Sequence, residues 1–291
     1  MAVYNYAEQF SPELQQKYSR ELTSYALTQS NPRVKFLNAQ TIKLPSITVS
    51  GYKDHNRQGD GFNSGKLTHD RDIELRVDPM DVDETNLVLE MANVQNTLET
   101  DQAIPEKDSY NYSKLYAEAK TYAANGASIV TTALTAANVL DWFDEAMEKM
   151  DDASVPSEGR ILYVTPTVRK LIKKADGIQR TIDVTSGNKN IDRNVHSIDD
   201  VEIVSVPSAR MKTKYNFTEG AVSAPTAKQI RAILIHPSCV VARGKYSYIN
   251  VFTPGHDAKT ADSYLLQSRF YMDLFLIKNK ATGVCINAEA E

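Results

Sequence analysis

At 291 residues the chain is long enough for one large domain or two modest ones, each with its own core. Apolar residues make up 42% and charged residues 24%, and no apolar run approaches the ~20 residues needed to cross a bilayer. The net charge of −4 argues against a surface built to grip phosphate backbones, though not against a local basic patch.

The opening MAVYNYAEQF has neither a basic flank nor an apolar stretch, so no signal peptide is expected, and the protein reads as soluble and made in a cytoplasm. The first 35 residues do not read as a compact domain. Ser11-Pro12-Glu13 is a helix start, and Leu14, Tyr18, Leu22 and Tyr25 then fall on one face until Asn31-Pro32 ends the segment. It reads as an arm with one helix that docks elsewhere. From residue 40 the period becomes that of a strand. Ile42 and Leu44 share a face, Pro45 interrupts, and Ile47 and Val49 continue in the opposite phase. The polar, glycine-rich stretch Gly51–Asp70 follows. Alternation then returns with Arg71, Ile73, Leu75 and Val77 against Asp72, Glu74, Arg76 and Asp78. Two strands joined by so long a polar stretch predict a long hairpin with a large tip, a kind of loop usually kept for function.

From Asp83 the period is helical, with Leu87, Met91, Val94 and Leu98 in one stripe, and Pro105 is expected to break it. A second helix places Tyr112, Leu115, Tyr116, Ala119 and Tyr122 on one side and stops at Asn125-Gly126. A third is expected to start at Thr135 as cap, turning Ala136, Val139, Leu140, Phe143, Met147 and Met150 inward with Trp142 at the edge of that face. A turn at Ser154–Gly159 leads to a strand at Arg160–Val164, and Thr165-Pro166 caps a short helix with Val168, Leu171, Ile172 and Ala175 buried. Strands are expected at Val201–Val206, Arg231–Ile235, Tyr246–Thr253 and Tyr264–Lys278, with a hairpin turn at Asn279–Gly283 into Val284–Asn287. The second half thus predicts a mixed α/β core in which Leu140, Phe143, Ile161, Leu171 and Ile172 pack together.

Motifs for chemistry are sparse. Gly61-Phe62-Asn63-Ser64-Gly65-Lys66 resembles a phosphate loop only superficially. It has three residues between the glycines where four are needed, and Leu67 stands where Ser or Thr would bind the metal; it reads as a loop tip. The five histidines (His55, His69, His196, His236, His256) are scattered, and His236-x-x-Cys239 is the nearest approach to a metal pair. Asp70, Asp72 and Glu74 read as the exposed side of a strand, with Arg71 and Arg76 near enough for solvated pairing. Arg169, Lys170, Lys173 and Lys174 form the polar face of an amphipathic helix. Cys239 and Cys285 read as buried reduced thiols. No catalytic, cofactor-binding or metal residue is assigned. Two surface signals remain. Tyrosine is abundant, 15 against 8 Phe and 1 Trp, which suits surfaces buried on association. Between Arg76 and Lys107 there are eight acidic residues and no basic one.

The stretches DIELRVDPMDVDE (Asp72–Glu84), IPEKDSYNYSKLYAEA (Ile104–Ala119), VPSEGRILYVTP (Val155–Pro166), AKQIRAILIHPSCV (Ala227–Val240) and SRFYMDLFLIKNKATGVCIN (Ser268–Asn287), in this order, resemble the major capsid proteins of tailed bacteriophages, the Hong Kong-type coat fold. The resemblance implies an α+β fold with an N-terminal arm (1–38) and an extended hairpin loop (39–80). It also implies a peripheral domain with a spine helix (81–125 and about 240–275) and an axial domain (126–239 and about 276–291). It further implies a structural, non-enzymatic protein whose hexamers and pentamers close an icosahedral shell around double-stranded DNA, located in the virion. Its partners would be copies of itself, a portal and, since no scaffolding segment precedes the arm, a separate scaffolding protein; no cofactor and no membrane are implied. Some relatives crosslink a loop lysine to a neighbour's asparagine; Lys53 and Lys66 lie in the loop, but no partner asparagine is identifiable. An encapsulin-type nanocompartment shares the architecture, and a soluble α/β enzyme with an unrecognised site is the alternative from another class.

Overall fold

The computed structural model describes residues 22–28, 35–36, 41–45, 62–66, 68–79, 91–175, 195–218, 220–256 and 262–290. These form helices and mixed sheets, an α+β architecture, in two compact units. One gathers the described residues of 67–107 and 243–273; the other gathers those of 23–66, 108–242 and 274–290.

The larger unit is built on a six-stranded sheet. In spatial order its strands are β5 (Ser128–Val130), β14 (Val284–Ala288), β11 (Ile230–Ile235), β6 (Ile161–Val164), β8 (Val201–Ser205) and β7 (Ser197–Ile198). The pairs β14/β5 and β6/β8 are parallel, while β11/β14, β11/β6 and β7/β8 are antiparallel. The three central strands are buried on both faces, which is why ILYV and AILI read as unbroken apolar runs and not as alternations. One face carries Ile161, Tyr163, Ile233, Ile235, Val284 and Ile286, and packs with Tyr112, Leu115, Tyr116 and Ala119 of helix α3 (Ile104–Thr121). The other carries Leu162, Val164, Ala232, Leu234 and Cys285. Against it lie Val139, Trp142, Phe143, Ala146 and Met150 of α4 (Val139–Asp152) and Val168 and Ile172 of α5 (Pro166–Ile172).

Several expectations hold at residue level. Thr165 Oγ1 accepts the Val168 N–H at 3.5 Å with Pro166 in the first turn, the cap that the pair Thr-Pro announces. Gly126 closes the turn after α3 with φ of +102°, a left-handed conformation that favours glycine, and a Cβ there would press on the Thr282 methyl.

The expected common core needs correction. Ile161 lies on the face opposite Phe143, and Leu140 and Leu171 are only half-buried. Trp142, expected at the edge of the α4 face, is 7% exposed and part of its buried stripe. The buried stripe is Val139, Trp142, Phe143, Ala146 and Met150, and α4 starts at Val139, not Thr135. Asn138 Oδ1 takes the Thr135 N–H at 2.6 Å and holds residues 135–138 in a turn. Phe143→Ala is expected to cost about 3–5 kcal/mol, because a 2%-exposed ring between helix and sheet leaves a cavity that neighbours fill only in part. Chemical denaturation measures it, and a cost below ~1 kcal/mol would mean that the site collapses freely.

Pro105 does not break the helix. Helix α2 (Met91–Leu98) runs through a π turn (Glu99–Ala103) directly into α3, with the Ile104 N–H bonded to Glu99 O. Widening the turn to i→i−5 bonding just ahead of the proline makes room for its ring and leaves its missing N–H without consequence. Of the predicted stripe, Leu87 lies outside the described residues, and Val94 and Leu98 are half-buried.

The predicted hairpin is also paired differently. β2 (Thr41–Pro45) pairs antiparallel with β3 (Phe62–Lys66), in register from Thr41↔Lys66 to Pro45↔Phe62, and β1 (Lys35–Phe36) adds a third strand. The strand predicted as the return, β4 (His69–Val77), belongs to the smaller unit. There it pairs with β13 (Tyr264–Leu276), whose other neighbour is β12 (Val240–Phe252). Alternating period identifies a strand but not its partner, and the partner here lies nearly two hundred residues away. Likewise Lys278–Gly283 is a 3₁₀ turn and not a hairpin, because β14 pairs with β11 and β5. The predicted arm helix lies outside the described residues up to residue 21; its end is α1 (Tyr25–Thr28).

Candidate functional site

Residues flagged for chemistry scatter across the fold. Phe62–Lys66 of the phosphate-loop-like stretch is a β-strand, not a loop tip. His236 donates from Nε2 to Glu158 O at 3.1 Å, while its Nδ1 lies 2.7 Å from Ser238 Oγ and accepts the Ser238 N–H. The Cys239 thiol is buried and donates to Gly283 O, 3.6 Å away, so the pair is spent on holding turns. Burial pushes the Cys239 thiol up to about 12 and the Cys285 thiol up to about 11, which keeps both protonated and unreactive. Among the described residues no three His, Cys, Asp or Glu side chains are grouped to hold a metal.

His236 gives a pH prediction. A carbonyl on Nε2 and an N–H on Nδ1 demand the neutral ring, and burial, reinforced by Arg160 and Lys280, lowers its pKa. A depressed histidine binds its proton more readily unfolded, so its contribution is complete above about 6.5 and fades as pH falls below that. Unfolding midpoints across this range should fall more for the wild type than for His236→Gln. Parallel curves would refute the linkage.

The smaller unit presents the most distinctive surface. On β4, Asp70, Asp72 and Glu74 are exposed as predicted, and Ile73 on the opposite side is still 38% exposed. Arg269 on β13 grips Asp70 with two bonds of 3.0 and 2.6 Å and lies over the Tyr246 ring at 5.8 Å. Tyr246 and Ile249 on β12 are 49% and 43% exposed. Arg71 does not pair along its own strand: its Nε donates to Glu106 Oε1 at 2.6 Å, with His69 Nε2 at 3.5 Å from the same oxygen. Burial pushes the Glu106 carboxyl up, but its bonds to His69 and Arg71 outweigh this and hold it low. Lys107 pairs with Glu99 at 2.9 Å. Of the acid-only run, Glu99 and Glu106 thus meet cations, partnerships no local pattern could reveal. The cations of α5 are divided, Lys170 and Lys174 exposed and Arg169 and Lys173 half-buried.

No family model matches the chain, and no curated protein matches it in sequence. Solved structures do match along nearly its whole length. The mature capsid of bacteriophage PhiM1 aligns with 98% of this chain and 92% of its own, at a TM-score of 0.61 and 13% identity. The capsid of cyanophage P-SCSP1u covers 99% and 94% at a TM-score of 0.62 and 10% identity. The capsid of Ralstonia phage GP4 covers 97% and 94% at 0.57 and 12%. The chain has the phage capsid fold. In the smaller unit the sheet β12-β13-β4 leaves Ile73, Tyr246, Ile249 and Arg269 at the surface.

Proposed function

We propose that the protein is a major capsid protein whose copies assemble as hexamers and pentamers into an icosahedral shell around double-stranded DNA. The observation that carries this reading is the end-to-end likeness of the chain to phage capsid chains. In this reading residues 1–38 are an arm, 39–80 an extended loop, 81–125 and about 240–275 a peripheral domain, and 126–239 and about 276–291 an axial domain. The part played is structural, not enzymatic, with a separate scaffolding protein and a portal as further partners and the virion as location. The exposed Tyr246, Ile249 and Ile73 would be covered by neighbouring copies, since aromatic and arginine side chains dominate such contacts. Electron microscopy of the purified protein, co-expressed with the products of neighbouring genes, is expected to show closed shells. A monomer under all assembly conditions would sink the proposal.

The shell encloses DNA without gripping it. Residues 1–38 hold four basic residues (Lys17, Arg20, Arg33, Lys35) against three acidic ones (Glu8, Glu13, Glu21). Phosphate contacts would also resist sliding of DNA in and out. Free subunit should show negligible affinity for duplex DNA at physiological salt, with a log–log salt slope shallower than about −2, since each contact contributes about −0.9. Micromolar binding with a slope near −5, by fluorescence anisotropy, would redirect attention to the Arg169–Lys174 face.

A further inference from the structure

Asp108, in α3, is fully buried, yet its carboxylate has little to do with its own helix. Oδ2 accepts the Thr23 N–H at 3.2 Å, the Thr23 hydroxyl at 2.9 Å and Arg210 Nη1 at 3.0 Å. Oδ1 accepts the Ser24 N–H at 3.0 Å and the Ser24 hydroxyl at 2.7 Å. Four of these five bonds come from two consecutive residues lying about 85 positions upstream. Asn111 Nδ2 donates to Ser24 Oγ at 2.9 Å, and the Tyr112 hydroxyl meets Thr23 Oγ1 at 2.9 Å. Three residues further on, Leu27 is fully buried among the side chains of the sheet's α3 face.

We infer that Asp108, Asn111, Tyr112 and Arg210, with the apolar socket that holds Leu27, form a peptide-binding slot for a Thr-Ser-x-x-Leu segment, filled here by Thr23–Leu27. The segment meets the unit as a ligand meets a site. A helix of four residues has no stability of its own, so its shape is imposed by the slot. Recognition is read twice, by two N–H groups and two hydroxyls chelating one carboxylate, and by a leucine one helical turn away. Tyr25, between these anchors, is 59% exposed and carries none of the recognition. The slot also keeps polar capacity that the segment does not use: the buried Asn111 Oδ1 and Tyr163 hydroxyl have no partner among the described residues. Such a slot fixes the chain at Thr23–Leu27. The inference does not depend on shell assembly.

The test uses the full chain carrying Thr23→Gly, Ser24→Gly and Leu27→Ala, which empties the slot. A fluorescein-labelled peptide of residues 20–29 is titrated against it by anisotropy, with cooperative thermal unfolding as the check on folding. The expected result is saturable one-to-one binding to the emptied chain and none to the wild type, whose own segment competes. Either Asp108→Asn in the emptied chain or Leu27→Ala in the peptide should weaken binding at least about tenfold. A folded emptied chain that ignores the peptide, or binds it equally well without Asp108, overturns the inference. So does an emptied chain that no longer folds, because the segment would then be an integral part of the core.

Discussion

Deleting residues 46–61 and closing β2 onto β3 with a two-residue turn is expected to abolish shells while leaving the subunit's unfolding midpoint unchanged. The cut follows the register: Pro45 faces Phe62, so a tight turn can join them directly without disturbing the ladder from Thr41↔Lys66 onward. From Gly51 on, the deleted residues are polar and glycine-rich. A loop of this length is best explained by contacts outside the subunit. Differential scanning calorimetry and electron microscopy of the same preparation separate the two effects. Lost folding would make the tip part of the stabilising structure, and normal shells would remove it from assembly.

Asp108→Ala should destabilise the subunit by about 3–5 kcal/mol, the scale expected when one partner of a buried ion pair is removed. Arg210, 8% exposed, would lose its 3.0 Å contact with the carboxylate, and the Thr23 and Ser24 donors would face a methyl group. Asp108→Asn should cost less, since an amide oxygen still accepts from Ser24 although the ionic contact is gone. Urea denaturation at neutral pH measures both. A loss under ~1 kcal/mol for alanine would show that water replaces the carboxylate without penalty.

The two predictions draw on different kinds of information. Polarity, glycine content and length marked Gly51–Asp70 before any pairing was known. Asp108 had no such mark; in the sequence it is one carboxylate in a helix, and only the fold brings Thr23 and Arg210 to it. The same division runs through the rest of the molecule. The α3 stripe, the Thr165-Pro166 cap, the Gly126 stop and the buried strands β6 and β11 were legible, because periodicity and capping act within a few residues. Even the alternation of β4 was legible, but not its place beside β13. The face of α4 that is buried, toward Trp142, was set by the sheet and α5 it packs on, neighbours that pattern does not see. Pro105 was misleading for a related reason: a proline forbids one regular hydrogen bond, but the chain could widen a single turn and continue. By itself the sequence determined the apolar stripe of α3, the caps and stops, and the buried strands β6 and β11, since those depend on neighbours along the chain. The tertiary structure alone decided strand partners, the two layers of the core and the carboxylate that holds Thr23 and Ser24, because pairing and burial depend on neighbours in space.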